Sequence, residues 1–289
     1  MKRKLGFSIL SIVLVLVLLV GCSGQGTETS TDENDSQSET SGELVDGTYL
    51  VKDPVSDRGN YPMAIMEVVD GEISSFEYVE ILADLGEEKN ESNYNYAEGL
   101  AVIANLNEQF NEKKDINQVD FDAVTGATHT KENFKRIVNE LLDKAAKGEA
   151  YEPVYKDGVY TATAEEPSHG WLGEVKIVVK HGQIVGLDYY EYAVEDMEGS
   201  RVVFDEDDKP VTGDDGKPVT EEVQISAGDR KSKENYAYLD SLEVMKKMQK
   251  LIIDNNGLDN LDVDSVTGAT STRTTIIELV EKALDGAKL

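Results

Sequence analysis

The heptapeptide Asp122-Ala-Val-Thr-Gly-Ala-Thr128 returns near the C-terminus as Asp264-Ser-Val-Thr-Gly-Ala-Thr270. Each copy leads into a stretch whose apolar residues recur at helical spacing. A motif this short, seen once, would be weak evidence. Because it stands at the same place in two copies of a longer repeat, it indicates one chemical role performed twice.

The two motifs belong to a duplication that covers most of the chain. Asp46-Gly47-Thr48-Tyr49 corresponds to Asp157-Gly158-Val159-Tyr160, and Asn93–Tyr96 corresponds to Asn235–Tyr238 at a larger offset. The difference between the two offsets predicts an insertion in the second half, at about residues 194–224. We therefore predict two similar domains, residues 45–149 and residues 150–289.

Each half has the sequence pattern of an α+β domain. Apolar runs and alternation predict strands at Tyr49–Lys52, Met63–Val69, Ile73–Ile81, Tyr160–Ala164, Gly173–Lys180 and Ile184–Tyr192, with hairpin turns at Asp70-Gly71 and His181-Gly182. Helical periodicity predicts helices at Ala97–Asn111 and Leu239–Asp254, and a final helix after each motif. The core side predicted for the first of these helices contains Leu100, Ile103, Ala104, Leu106 and Phe110. The predicted fold is thus two antiparallel sheets, each packed with helices.

The N-terminus has the pattern of a bacterial lipoprotein signal. Three basic residues at positions 2–4 precede an apolar run, residues 12–20, that is too short for a comfortable membrane span. Leu19-Val20-Gly21-Cys22 resembles a lipobox, which implies that residues 1–21 are removed and that Cys22 is diacylated. Cys22 is the only cysteine, so no disulfide can form within the chain. The alternative is an ordinary signal peptide with an incidental cysteine.

Composition predicts a tether and limits the partners. Residues 23–44 are almost all small polar or acidic residues, which predicts a disordered tether after Cys22. The formal net charge is −29 for the whole chain and −32 without residues 1–21. Such acidity argues against nucleic acid as a partner. It also argues against direct docking on anionic lipid, so the expected membrane link is the acyl anchor alone.

The middle of each motif is suited to a close approach by a ligand. Gly126 and Gly268 permit a tight turn that any side chain would obstruct. The small Ala127 and Ala269 leave the space beside that turn open. These residue types therefore permit a close approach between the backbone and a ligand.

The last threonine of each motif stands where a phosphate would be favoured. Thr128 and Thr270 lie just ahead of a predicted helix, whose free N–H groups and dipole attract anions. A hydroxyl at this position can hydrogen-bond a phosphate or be esterified by one. The alternative is that Thr125, Thr128 and Thr130 only cap the final helix.

The motif, placed before a terminal helix and after a strand-rich segment, resembles that of the FMN-binding domain family. That family includes the covalently flavinylated subunits of the sodium-pumping quinone reductase, in which a flavin transferase moves FMN from FAD onto the last threonine of the motif. The resemblance implies two covalent FMN groups, in phosphoester linkage to Thr128 and Thr270. It implies supporting cofactor-binding roles for Asp122, Thr125, Gly126, Ala127, Asp264, Thr267, Gly268 and Ala269.

The whole chain resembles the pheromone-encoding surface lipoproteins of flavin-based extracellular electron transfer in Gram-positive bacteria. This resemblance implies a lipid-anchored protein on the extracytoplasmic face of the cell membrane, matured by an FAD-dependent flavin transferase. It further implies a relay of electrons from a membrane quinone-linked donor to ferric iron or soluble flavins, without catalytic residues of its own. The sequence leaves open whether the signal peptide yields a pheromone. The alternative from another class is a surface binding or adhesion lipoprotein without flavin.

Other candidate groups carry less information. Tyr94, Tyr96, Tyr236 and Tyr238 repeat at equivalent positions and can either stack on a flavin ring or pack a helix onto the sheet. The acidic runs of the insertion lack the spacing of an EF-hand loop and favour a solvated hairpin. The three histidines are scattered, so no metal site is predicted.

Overall fold

The first half folds as an antiparallel sheet covered by two helices. The computed structural model describes residues 43–289. The sheet has the order β1-β2-β3-β4, with β1 at Gly47–Lys52, β2 at Asn60–Val69, β3 at Glu72–Leu82 and β4 at Glu87–Glu88. The helices are α1 at Ala97–Lys113 and α2 at Thr128–Lys147, and a short 3-10 helix, Ile116–Gln118, lies between them. Helix α1 packs on β3, whereas α2 packs on β1 and β2.

The second half repeats this arrangement and adds a hairpin. Its sheet has the order β5-β6-β7, with β5 at Gly158–Thr163, β6 at Trp171–Lys180 and β7 at Gln183–Ala193. Its helices are α3 at Leu239–Asp254 and α4 at Thr270–Ala283, with a 3-10 helix at Val263–Ser265. The insertion forms a separate antiparallel pair, β8 at Met197–Val202 and β9 at Thr220–Ile225. The predicted α+β class is therefore confirmed in both halves.

The hairpin turns of the two halves are built in the same way. Asp70 and Gly71 have φ values of 54° and 76°, and His181 and Gly182 have 51° and 70°. Two successive positive φ values are the requirement of a tight type I′ hairpin turn. An aspartate carboxylate accepts from the glycine N–H in both cases, at 2.8 Å for Asp46 and at 2.7 Å for its counterpart Asp157.

The buried side of α1 differs from the predicted one. Val102, Leu106 and Phe110 are buried, whereas Ala104, which the periodicity placed on the core side, is exposed. Leu100 and Ile103 are half-buried. Phe110 packs edge-on against Phe76 of β3, with ring centroids 4.6 Å apart. This aromatic contact with the sheet sets the rotation of the helix, which the sequence of the helix alone does not contain.

One hydrophobic core contains residues of both halves, and a second core lies within the first half. Tyr61 at the start of β2 is buried among residues of β6, β7, α3 and α4, and its hydroxyl donates to the Val185 carbonyl at 2.7 Å. The Leu187 N–H donates to the Ala83 carbonyl at 2.9 Å. Residues of both halves thus lie within one compact unit. The boundary at residues 149 and 150 stays a prediction.

The predicted N-terminal features fall outside the described residues. The signal peptide, Cys22 and nearly all of the predicted tether precede residue 43, where the described part of the chain begins. Across residues 43–289, the helices are too short or too polar to cross a membrane. Anchoring through Cys22 therefore stays a prediction from the sequence.

Candidate functional site

Each motif forms a turn in which two successive residues adopt left-handed backbone conformations. The φ values are 86° at Gly126 and 45° at Ala127, and 90° at Gly268 and 35° at Ala269. For a residue with a side chain this conformation costs about 1–2 kcal/mol. Strain of this kind is concentrated at functional sites. Both halves keep the same unfavourable alanine conformation, which indicates that the turn serves more than chain reversal.

The turn presents the two predicted acceptor hydroxyls to solvent. Thr128 and Thr270 are the first residues of α2 and α4, and both are exposed. The N-cap residues are Ala127 and Ala269, and neither helix has a side-chain cap. The alternative in which threonines cap these helices is therefore wrong. Within residues 43–289, neither acceptor hydroxyl has a hydrogen-bond partner, so both hydroxyls are available for chemistry.

A basic residue follows each acceptor threonine at the same distance. Lys131 donates to the Val124 carbonyl at 2.6 Å, and its counterpart Arg273 donates to the Val263 carbonyl at 3.1 Å. Residues three apart lie on the same face of a helix, so each cation stands one turn from its threonine. Through these hydrogen bonds, both side chains connect the helix to the chain segment at the motif. They also place a positive charge near the position that a phosphoester on the threonine would occupy.

The structure adds a buried ion pair to each half that the motif analysis missed. Lys89 Nζ lies 2.6 Å from a carboxylate oxygen of Glu80, and their side chains are 5% and 11% exposed. Lys231 pairs with Glu191 in the same way, with side chains 7% and 12% exposed. A buried charge is stable only when it is paired and hydrogen-bonded. Aligning the strands matches Glu80 with Glu191, and aligning the motifs matches the two lysines, so an alignment across the insertion would have revealed both pairs.

Tyrosine hydroxyls complete these two polar clusters. Tyr189 donates to Glu191 at 2.9 Å, and Tyr78 approaches Glu80 at 3.5 Å. Burial raises the pKa of both phenols, so they stay protonated and act as donors. The first cluster also reaches the motif helix, because the buried Thr130 donates to Glu80 at 2.7 Å. In the first half, the ion pair is therefore connected to the first turn of α2, which begins at the acceptor threonine.

A cleft of about 490 Å³ lies beside the second motif. Trp171, Tyr236 and Tyr238 contribute aromatic rings to its lining. The centroids of Trp171 and Tyr236 are 6.1 Å apart, and those of Tyr236 and Tyr238 are 5.4 Å apart. The polar lining includes Lys231, Glu191, and the two residues that follow Thr270 in α4, Ser271 and Thr272.

The properties of this cleft fit a flavin. Its volume lies within the range of roughly 300–1,000 Å³ that is usual for small-molecule sites. Aromatic walls suit a flat ring system, and the N-terminus of α4, from which Ser271 and Thr272 line the cleft, suits a phosphate. Arg273 follows these two residues in the first turn of α4. The Nε atom of Arg273 is buried and has no hydrogen-bond partner within residues 43–289. The lining of the cleft therefore has groups that suit both the ring and the phosphate of FMN.

The four repeated tyrosines do not occupy equivalent surroundings. Tyr236 and Tyr238 line the cleft of the second half. In the first half, Tyr94 lies under Lys89, whose Nζ is 4.2 Å from the ring centroid. The hydroxyl of Tyr96 accepts from the Ala127 N–H at 3.3 Å, so this ring lies on the motif turn itself.

The remaining predicted site residues stand near the acceptors without a visible side-chain role. Asp122, Thr125, Asp264 and Thr267 are exposed, and their side chains form no hydrogen bond within the described residues. They share the motif loops with the acceptor threonines, so the loops do bring the predicted sets together. Their part in holding a cofactor stays a prediction.

Comparison with known proteins identifies the family. The model of the FMN-binding domain matches residues 35–143 and 170–285. The crystal structure of the CPE2226 protein from Clostridium perfringens is 26% identical, with a TM-score of 0.32 over 37% of this chain and 93% of that one. No curated protein matches. FMN is the cofactor that the family match supports. Because the two matched segments cover well over half of its length, this chain belongs to the FMN-binding domain family.

Proposed function

We propose that this protein is an electron carrier with two covalently bound FMN groups, one on Thr128 and one on Thr270. It receives electrons from a quinone-linked donor in the membrane. It passes them to extracellular acceptors such as ferric iron or soluble flavins. A lipid on Cys22 anchors the chain to the extracytoplasmic face of the membrane, and an FAD-dependent flavin transferase attaches the FMN.

The observation that carries this proposal is the duplicated presentation of a free threonine hydroxyl. In both halves the hydroxyl is exposed at the first residue of a helix, behind a strained Gly-Ala turn. The hydroxyl caps neither helix, so its placement is not explained by local stability. A transferase requires such an accessible hydroxyl, and the helix N-terminus favours the phosphate that it would receive.

The chain's own residues would bind and orient the cofactor. FMN supplies the redox chemistry, since it can take up one or two electrons. Backbone N–H groups at the starts of α2 and α4, with Lys131 and Arg273, would offset the phosphoester charge. In the second half, the aromatic walls of the cleft would exclude water from the ring system.

The proposed location rests on the sequence. Cys22 is the last residue of a lipobox-like string, and the residues after it have the composition of a flexible tether. Some 22 residues of such a tether reach roughly 25 Å, at about 5–6 Å times the square root of the residue number. A covalently bound cofactor suits this location, because a dissociable one would be lost by dilution outside the cell.

Intact mass after co-expression with a flavin transferase tests the proposal. We expect residues 23–289 to gain two FMN phosphoester units, each single variant, Thr128→Ala or Thr270→Ala, to gain one, and the double variant to gain none. The double variant should also lose the ability to pass electrons to ferric citrate. An unmodified wild-type chain, obtained with a transferase that modifies a known substrate, would contradict the proposal and favour the binding lipoprotein without flavin.

A further inference from the structure

The aromatic cleft is a feature of the second half and not of the repeat as such. Trp171, which is 6% exposed, opens β6, and the corresponding position at the start of β2 is Asn60. Gly173 lines the cleft, and its counterpart is Pro62, which is buried. The first half therefore lacks the largest ring of the cleft, together with the space that a glycine leaves beside it.

The insertion holds this aromatic wall in place. Ile225 of β9 is buried in a small cluster with Trp171, and Met197 of β8 and Tyr236 pack against the same cluster. The backbone of Ser200 in β8 pairs with that of Tyr236. The insertion that distinguishes the halves thus contributes the support behind the two rings.

The segment that follows β3 in the first half has a different packing partner from the insertion that follows β7. It is the short connection around Gly86, and it packs against the second half. A Cβ atom on Gly86 would lie 2.5 Å from Val178 of β6, and one on Gly186 would lie 2.3 Å from the Gly86 backbone. The position that aligns with Ile225 across the insertion is the smaller Ala83, which is buried in the core that contains residues of both halves.

The tyrosine nearest to each motif also differs between the halves. Tyr96 is 42% exposed, and its hydroxyl accepts the Ala127 N–H. A Cβ atom on Gly126 would lie 2.9 Å from that hydroxyl, so Tyr96 covers the turn. Tyr238 is 70% exposed and stands at the cleft, and the nearest atom to a Cβ on Gly268 would be a methyl carbon of Val244 at 3.7 Å.

From these differences, and resting on the proposed FMN attachment, we infer that the two flavins are held unequally. The isoalloxazine ring carried by Thr270 is enclosed in the cleft between Trp171, Tyr236 and Tyr238. The ring carried by Thr128 lies exposed on the surface of the first half. The insertion is the structural cause, because it supports the wall that the first half lacks.

Single-site flavoproteins test this inference by fluorescence. The Thr128→Ala variant carries FMN on Thr270 alone, and the Thr270→Ala variant carries it on Thr128 alone. After intact mass has shown one FMN on each, we expect flavin emission several-fold weaker in the Thr128→Ala protein, because neighbouring aromatic rings quench it. Iodide should quench the Thr270→Ala protein several-fold more steeply. Equal emission and equal iodide quenching, with both FMN groups confirmed by mass, would overturn the inference.

Two further variants test whether Trp171 and Tyr238 are the side chains that shield the flavin ring on Thr270. Trp171→Leu, made in the Thr128→Ala background, should raise both the emission and the iodide quenching toward those of the exposed site. Tyr238→Ala should raise the emission and the iodide quenching to a smaller extent. Because Tyr238 is 70% exposed, its replacement should not affect folding, so this variant tests the shielding separately. Tyr96→Ala in the Thr270→Ala background is the matched control, and we expect little change in iodide quenching. If neither cleft variant changes the quenching, the cleft does not enclose the ring, whereas a chain that gains no FMN would overturn the proposed function itself.

Discussion

The two halves of this protein share the geometry of the motif and differ in the segment after their third strand. Both have the strained Gly-Ala turn, the exposed threonine and the buried Lys-Glu pair. After β3 the chain makes a short connection that packs on the other half, whereas after β7 it forms the β8-β9 hairpin behind Trp171. The motif turn and the aromatic cleft are thus built by separate segments, so one can change while the other is kept.

Replacing the buried lysines should cause the largest loss of stability and should separate the two halves most clearly. Lys231→Met would leave Glu191 buried without its cation, which typically costs about 3–5 kcal/mol. Lys89→Met should cost less, because Glu80 keeps two hydrogen bonds, from Thr130 at 2.7 Å and from Tyr78 at 3.5 Å, whereas Glu191 keeps only the one from Tyr189 at 2.9 Å. Urea denaturation of both variants measures the difference in the free energy of unfolding.

The matched control replaces both partners of the second pair. The variant Lys231→Met with Glu191→Leu should recover most of the lost stability, since an apolar pair leaves no charge unpaired. Equal losses for Lys89→Met and Lys231→Met would contradict the stronger hydrogen bonding of Glu80 that the geometry indicates.

Replacing the motif glycines should give a smaller difference in stability between the two halves. Gly126→Ala and Gly268→Ala both place a side chain at a φ near 90°, which costs about 1–2 kcal/mol. Gly126→Ala should cost about 1 kcal/mol more, because the new methyl group displaces the Tyr96 hydroxyl from the Ala127 N–H. Thermal unfolding of the two variants, with Tyr96→Phe as control, measures this difference. A larger loss for Gly268→Ala would contradict the described position of Tyr96.

The last prediction concerns the pH dependence of stability at Lys52, which joins the halves and has Thr163 as its counterpart. Its Nζ donates to the carbonyls of Ile184 and Ile253 at 3.1 and 2.7 Å, and burial lowers its pKa from 10.5 to about 8. Below pH 8 the native and unfolded chains both carry the charge. Between about pH 8 and 10 the lysine binds its proton in the unfolded chain and loses it in the native one, so Lys52 itself should contribute a rise in stability of about 1 kcal/mol per pH unit. Lys52→Met should flatten this rise in urea denaturation measured at several pH values, and an unchanged slope would exclude Lys52 as its cause.

The sequence predicts the repeated elements because each is encoded locally. The turns at Asp70-Gly71 and His181-Gly182, the strand alternation and the motif followed by a helix all depend on neighbouring residues. The buried side of α1 was mispredicted, since the contact between Phe110 and Phe76 joins distant parts of the chain. The Lys231–Glu191 pair was missed for a related reason, because its members lie on either side of the insertion. The cleft depends on the packing of β8 and β9 behind Trp171, which no local pattern of residues specifies.

Peptide mapping of the flavinylated wild-type protein decides whether both threonines carry flavin. Fragmentation of the peptides that contain Thr128 and Thr270 locates any FMN group on an individual residue. We predict one FMN phosphoester on each of these two threonines and none on Thr125, Thr130 or Thr267. FMN on another residue, or both threonines unmodified after exposure to a transferase proven active on a known substrate, would contradict the proposed attachment.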